Sequence, residues 1–531
     1  MKLLEKAIVQ ISPSWALKRQ LARQHLAVLN TGYSNHGAST TKSSMLGWLS
    51  RGGGVKNDIY KNRDRLVERS RDLYMGAPTA TGVIKTIVSN TVGSGLRLKS
   101  AIDYELLGLD ENTAEEIETQ IEREFRLWSE SKIDQNGLLD FYQVQDLVFL
   151  TVLLSGECFI KLNYFETPRN PYHLKLLVIE PDRVLTPNDK TNDKSVICGV
   201  QLDKKTNWIT GYYVAKEHPL DTYSGSTDTV YVPVYGKSNQ RNIIHLINPE
   251  RPEQLRGVPL LSPVIEALKQ LDRYTDAELM AAVISGMYAV FIESDKDNVT
   301  PADIGEQSIV SPEESVVSSS YDDDDTGALD IEMTPGMIVG FRPGERANPN
   351  NPGRPNAQFD PFVTAILRQI GAALEVPYEL LVKHFSASYS ASRAALLEAW
   401  KMFRKRRDWF ASNFTQLIYQ EWLREAVLRG RIELYNFGTD PLYDKAWSTA
   451  QWNGPSQGQI DPLKEAKASA LKIQEGLSTR SRESVELNGG DFEQNVRILA
   501  KEQKILKEKG VTLGNAKNDE SEEKVLEPSE E

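Results

Sequence analysis

Cysteine and histidine are scarce here, two and six in 531 residues. Two thiols, Cys158 and Cys198, are too few for a disulfide framework or a four-thiolate metal site. Both lie in apolar, strand-like stretches, 157–160 and 196–200, and read as inert core thiols. His25, His36, His173, His218, His245 and His384 are scattered, with no HExxH pattern and no Cys/His cluster, so neither a zinc site nor any other cofactor is expected. Long apolar runs are also missing: no window approaches the roughly 18 uninterrupted apolar residues of a membrane span. Near the start, Glu5 and Pro13 interrupt the apolar stretch and Lys18-Arg19 follow it, which is not the pattern of a signal peptide, so a cytoplasmic product is expected. Gly236-Lys237-Ser238 looks like the end of a phosphate-binding loop, yet Tyr231 stands where the first glycine is required. A packaging ATPase or nuclease would need a nucleotide cradle or a metal-ligand cluster, and the sequence offers neither.

What is present is a soluble-protein composition, 40% hydrophobic and 26% charged, in a chain long enough for two to four domains. The net charge of −12 has a location: between Glu293 and Glu332 there are thirteen acids against one lysine, Lys296, an excess equal to the whole imbalance. Within it, the Asp322–Asp325 tetrad lacks the ordered spacing and glycine of a calcium loop and reads as a flexible acidic tip. The chain has no internal repeats.

Periodicity organises the rest. Residues 1–60 read as a mobile arm, with an amphipathic piece at Ala16–Leu29 and the Gly52-Gly53-Gly54 linker. Helical spacing recurs from Asn62 to Asn90, over Thr113–Ser131 with Glu115 and Glu116 in its first turn, and over Phe141–Leu154. Ile117, Ile121, Phe125 and Trp128 form the core stripe of the second of these. Strand-like alternation follows at 157–164, 174–180, 199–203 and 211–215, making an α+β domain that ends near Pro249. Ser262 as N-cap and the prolines at 259 and 263 then start a helix that runs without another proline to Val290, about 43 Å at 1.5 Å per residue. Beyond the acidic excursion, with short strands expected at 290–292, 331–333 and 337–341, helix returns at Phe359–Leu374. Val376-Pro377 interrupts it, and Lys383–Ala391 is a loop of small residues. Ser392 then N-caps a helix to about Leu428. Pro462–Lys509 is helical and polar, and the acid-rich end beyond it is unsuited to a packed core.

Several blocks in one order carry a family likeness: Arg65–Leu98, Ile121–Ser131, the run Arg251-Pro252-Glu253-Gln254-Leu255-Arg256-Gly257-Val258-Pro259 with Glu266–Leu279, then Val376–Trp400, and Trp452–Gly476 with its Ile460-Asp461-Pro462. The chain resembles the lambda-type family of tailed-phage portal proteins from about residue 60 to 510. The resemblance implies a mainly helical α+β subunit with wing, stem, clip and crown, assembling as a ring around a central channel. It implies a wing at 61–257, a stem helix at 258–292, an acidic clip at 293–358, a second stem helix at 359–382 and a tunnel loop at 383–391. A long wing helix at 392–440, a helical crown at 441–514 and a disordered tail at 515–531 complete the order. It also implies a homo-oligomer, a dodecamer, that passes double-stranded DNA non-specifically. Its partners would be terminase, major capsid and scaffold proteins and head-completion or tail adaptor proteins, with no membrane partner. The place would be the capsid portal vertex of the virion, and the host cytoplasm during assembly. No enzymatic activity is implied.

The candidate site residues follow. Asp272 and Asp276 fall at i, i+4 on the long helix, with Lys269 and Arg273 beside them, a mixed-charge stripe suited to a channel lining rather than to acid/base catalysis. Duplex DNA carries one negative charge per about 1.7 Å, and twelve such chains would carry on the order of −144 formal charges, an arrangement that lets DNA slide and does not grip it. The tunnel loop comprises His384, Phe385, Ser386, Ser388, Tyr389 and Ser390; Ser388 stands where the family usually has Asn. Asp322, Asp323, Asp324, Asp325 and Glu332 form the candidate docking face for terminase and adaptors, where charge steers encounter. The one dense basic run, Arg404, Lys405, Arg406 and Arg407, suits phosphate contact or, more often for a charged helix, pairing between subunits or a solvated face.

Overall fold

The computed structural model describes residues 18–19, 52–168, 170–221, 228–286, 290–292, 338–340, 358–385, 389–458 and 461–511. The chain divides into two units, Met1–Asp58 and Ile59–Glu531. Of the first, only 18–19 and 52–58 are described, so the expected arm lies largely outside the described residues, as do most of the acidic excursion and the tail 515–531.

The second unit opens with helices α1 (Lys61–Gly76) and α2 (Pro78–Thr91), split because Pro78 forces Ala77 into extended backbone at φ −102°, ψ 112°. A short strand β1 (Arg97–Ser100) and a single turn α3 (Tyr104–Leu107) lead to α4 (Glu111–Ser129). Asp110 caps α4 by accepting from the Thr113 amide, which moves Glu115 and Glu116 out of the first turn where the sequence reading had them. Helix α5 (Phe141–Ser155) begins with a capping box between Asp140 and Gln143.

Strands β2 (Glu157–Tyr164), β3 (Leu174–Ile179), β4 (Val196–Ile197), β5 (Val200–Leu202), β6 (Ile209–Ala215), β7 (Thr229–Pro233) and β8 (Ile243–Ile247) follow. They make two antiparallel sheets, one ordered β3-β2-β8 and one a meander β4-β5-β6-β7. Strands β1, β4, β7 and β8 were not anticipated, because runs of two to five residues are too short to show alternation. Cys158 is buried in β2 as expected, but Cys198 is not in a strand. It forms, with Gly199, the two-residue turn between β4 and β5, both at positive φ (48° and 84°), the backbone a tight hairpin demands.

The helical half of the core is aromatic. Phe125, which the α4 periodicity placed in the core, lies 4.9 Å from Trp422, 5.5 Å from Trp128 and 5.7 Å from both Phe141 and Tyr419, mostly edge-on. Trp128 donates its indole N–H to Leu174 O at 3.1 Å, which ties α4 to the edge of the first sheet.

A long helix does follow the second sheet, but it is shorter than expected. Ser262–Val264 forms a 3-10 turn and α6 runs Ile265–Gly286, about 33 Å at 1.5 Å per residue. Ser262 is itself inside the helical turn and its hydroxyl makes no cap bond, because an N-cap needs extended backbone and Ser262 has already left it. Residues 290–292 are strand β9 (Val290–Ile292), paired parallel with β10 (Ile338–Gly340); the strand expected at 331–333 lies outside the described residues. Helix α7 (Phe359–Leu374) ends at Glu375, whose positive φ of 60° and the following Val376-Pro377 turn the chain into the short α8 (Tyr378–Val382). Helix α9 (Tyr389–Phe410) starts three residues before Ser392, since Ser and Ala cost too little in a first turn to fix its boundary. A π-turn, Ala411–Thr415, joins it to α10 (Gln416–Leu428). Helix α11 (Pro441–Trp447) and strand β11 (Ala450–Asn453), antiparallel to β1, precede α12 (Pro462–Gln474), α13 (Arg480–Asn488) and α14 (Phe492–Lys509).

One buried carboxylate binds these parts. Glu157, at the first position of β2, is fully buried; its Oε1 accepts from Arg63 of α1 (2.8 Å) and Arg256 (2.7 Å), its Oε2 from His245 of β8 (2.9 Å) and the Gly257 amide (2.9 Å). Arg256 also donates to Pro181 O, Val184 O and Cys198 O, and its guanidinium stands 5.6 Å over the Phe159 ring. Gly257 has to be glycine: a Cβ there would fall 2.1 Å from Gly156 O. The Arg-Gly pair of the family-like run is therefore the joint at which the long helix leaves the sheets.

Removing one partner of such a buried cluster leaves an uncompensated charge, so Glu157→Gln is expected to lower stability by about 3–5 kcal/mol in urea unfolding. Burial alone would raise the Glu157 carboxyl, but Arg256, the His245 hydrogen bond and Arg63 outweigh it and hold the group well below the ordinary carboxylate range. Burial pushes His245 down, against the pull of Glu157. Both folded values lie below the unfolded ones, so the unfolded chain takes up protons first. Stability is full above about pH 6.5, declines as His245 in the unfolded chain protonates, and declines again below about pH 4.5. Urea midpoints across pH 4–8 check this, and His245→Gln should remove the upper step.

Candidate functional site

Helix α6 changes character along its length. Leu268 and Leu271 are buried against the body, whereas Leu279 is 63% exposed, and Met280 and Val283 are exposed with it. Lys269 lies 3.5 Å from Asp272 as an i, i+3 pair, and Arg273 and Asp276 are exposed one turn on. Lys269 and Asp272 therefore lie beside the buried turn of α6, and Arg273 and Asp276 where the helix becomes exposed. Asp272 and Asp276 have no histidine near them among the described residues, and the Lys269–Asp272 pair is that of a solvated helix. Helix α7 meets α6 through Tyr274, whose ring lies 5.6 Å from Phe359, stacked, and 5.0 Å from Phe362, edge-on. The two helices that flank the acidic segment are thus clasped by three aromatic rings.

Between α8 and α9, Lys383 adopts positive φ (55°) as the C-cap of α8, and His384 and Phe385 are exposed. Tyr389 and Ser390 belong to the first turn of α9 and not to a loop, while Ser386 and Ser388 lie outside the described residues. Asp322, Asp323, Asp324, Asp325 and Glu332 lie outside them as well.

The basic run is mostly engaged within the chain. Arg404 pairs with Glu486 of α13 (3.5 Å) and Arg406 with Glu375 (3.6 Å). Arg407 donates to Asn90 O and Thr91 O at the C-terminus of α2 (3.1 and 3.0 Å) and to Pro455 O (2.8 Å), with its guanidinium 5.4 Å from the Trp400 ring centre. Carbonyls at a helix end carry partial negative charge and a guanidinium satisfies several at once. Lys405 is exposed. Spacing along the chain carried no sign that carbonyls more than 300 positions away would claim Arg407.

Gly236-Lys237-Ser238 sits in the loop between β7 and β8, closed by the Gly236 amide donating to Gln240 O at 2.8 Å, with strand and not helix after it. One group with metal-ligand chemistry occurs among the described residues: Glu180, Asp182 and His218, with His218 Nε2 3.6 and 3.7 Å from the two carboxylates. Arg71 already pairs with Asp182. His218 Nδ1 accepts from the Leu220 amide, which leaves the proton of the neutral ring on Nε2, facing the carboxylates. Within the trio, then, Asp182 is already engaged by a guanidinium, and Glu180 is exposed. No described helix is long and apolar enough to cross a membrane.

The residues that organise the joint before α6, Glu157, Arg63 and His245, were absent from the sequence candidates. A glutamate directly before the apolar run Cys158–Ile160 was the one available signal for Glu157. Replacing Arg407 by Ala removes three carbonyl partners at once and is expected to lower stability by about 2–3 kcal/mol, with Lys405→Ala within about 0.5 kcal/mol of the parent; urea unfolding of the two variants compares them.

A family model described as "Phage portal protein, lambda family" matches residues 41–407. Portal protein B of Escherichia phage lambda is 25% identical over 476 residues, covering 86% of this chain and 87% of that protein. The portal protein of Escherichia phage N15 is 25% identical over 463 residues, covering 84% and 85%. Among solved structures, a chain from the neck of a native gene transfer agent particle covers 80% of this chain and 93% of its own length at 13% identity, with a TM-score of 0.37.

Proposed function

Because the chain belongs to the lambda family of phage portal proteins, we propose that it works as one subunit of a ring that forms the DNA channel at a single capsid vertex. The observation that carries this is the family match over 41–407, supported by identity spread along 86% of the chain. In this reading the ring is a dodecamer that starts head assembly, seats the terminase, passes the genome in and out and anchors the tail adaptors. It is a structural conduit and not an enzyme, present in the virion and, during assembly, in the host cytoplasm.

The geometry supports a division of labour. Residues 61–257 form the wing, and α6 with α7 and α8 the stem, held to the wing by the Glu157 joint and clasped at Tyr274. The segment 293–358 between them is the acidic clip. Residues 383–388 form the tunnel loop, shortened at its far end by the first turn of α9. Helices α9 and α10 make the long wing helix, and 441–514 the crown. Lys269, Asp272, Arg273 and Asp276 present both signs of charge and line the channel. Balanced charge of both signs keeps contacts with the duplex short-lived, as transit requires. In this reading His384 and Phe385 touch passing DNA, which their exposure beyond the left-handed Lys383 supports.

Negative-stain electron microscopy of the purified chain is expected to show closed rings with a hole wide enough for a duplex, about 20 Å; solid particles or a persistent monomer would overturn the reading. Replacing Asp322–Asp325 by Asn should leave ring yield unchanged and weaken terminase binding, measured on the purified components. Unchanged binding would remove the clip from the docking face.

A further inference from the structure

The last three helices are folded without a core. Helix α12 buries only Ser469, α13 only Glu483, and α14 nothing. Forty residues of helix are joined to the rest of the unit chiefly by charge. Lys99 of β1 reaches Glu493 (2.7 Å), Asp491 (3.3 Å) and Glu122 (3.5 Å), Arg404 reaches Glu486, and Arg497 reaches Glu115 (3.3 Å). Isolated helices of nine to eighteen residues are marginal in water, and exposed ion pairs add little, so these contacts do not by themselves account for a stable layer.

The apolar side chains that should supply a core are present and face away. Ile498 (47% exposed), Leu499 (54%) and Ile505 (46%) lie on α14, and Leu477 (77%) precedes α13. At 100° per residue, Leu499 lies about 160° around α14 from Arg497, the residue that grips the body, and Ile498 and Ile505 about 100° and 80°. The exposed apolar side chains thus occupy the flank and the far side of the helix from that ion pair.

We infer that this stripe is an interface for a second copy of the same chain, and that the layer 462–511 becomes stably folded only when the ring closes. The inference rests on the ring reading above, which sets the same layer of identical subunits side by side. The charges on α14 support that occupant. Lys501, Lys504 and Lys507 make no ion pair among the described residues and are interleaved with Glu502 and Glu508, whereas Glu105, Glu111 and Glu116 around the start of α4 are exposed acids, likewise unpaired among the described residues. The lysines of α14 complement the exposed acids around the start of α4 on a neighbouring copy, and a cyclic ring needs two different surfaces that fit each other. A helix meant for an anionic lipid surface carries cations without interleaved acids.

Hydrogen exchange on the full-length chain, separated into monomer and ring, tests this. Amides of 492–509 are expected to exchange at least about tenfold faster in the monomer than in the ring, and the monomer's protection to fall further between about 0.1 M and 1 M salt. The double variant Leu499→Glu, Ile505→Glu should melt as a monomer at the parent temperature, because both side chains are exposed there, while ring yield falls about tenfold. Rings in which 492–509 exchanges as fast as in the monomer would overturn this inference alone, as would normal rings from the double variant. Protection conferred by vesicles with about 30% anionic lipid, and not by the ring, would also overturn it and give the face to a membrane. A wild-type chain that forms no ring would remove the ring reading and this inference with it.

Discussion

The structure depends on keeping one carboxylate ionised where there is no water. Glu157 begins the central strand of the first sheet and collects a guanidinium from α1, a guanidinium and an amide from the segment before α6, and an imidazole from β8. A buried carboxylate is tolerable only with full compensation, and here four donors from three parts of the chain supply it. The three parts are thereby fixed relative to one another. The close backbone approach of Gly156 and Gly257 belongs to the same constraint, since any side chain at 257 would separate the partners. The Arg-Gly run that carries part of the family likeness thus has an architectural role: it sets where the long helix departs.

Away from that joint, two kinds of cohesion divide the unit. The body is dry and aromatic, with Phe125 touching rings from α4, α5 and α10, and it gains stability from area removed from water. The C-terminal layer is held by ion pairs and keeps its apolar residues outside. The second arrangement makes sense for a part whose core is shared with a neighbour. The exposed Leu279, Met280 and Val283 on α6 fit the same logic, because a projecting helix in a ring has neighbours that an isolated chain does not.

Much of this was legible in advance, and the reasons differ from element to element. The stripe Ile121, Phe125 and Trp128 was readable because a helix face repeats every 3.6 residues, and its burial follows. Helix α7 and the break at Val376-Pro377 were readable from proline geometry. The end of α6 at Gly286 and the start of α9 at Tyr389 were not, because propensities differ by a few tenths of a kcal/mol near a boundary and packing overrides them. The basic run 404–407 read as a surface feature, yet Arg407 caps a helix that ends more than 300 positions earlier.

By itself the sequence determined the family, the order of the longer helices, the place of the acidic excess and the absence of a nucleotide loop or thiol cluster. All of these are properties of residue type and spacing along the chain. Only the tertiary structure decided which charges are partners: Glu157 meets Arg63 across 94 positions and Arg256 across 99, and Lys99 meets Glu493 across 394. The reason is physical. Coulomb attraction and hydrogen bonding act over a few ångströms of space, and spacing along a chain does not specify distance until the apolar core has brought the segments together.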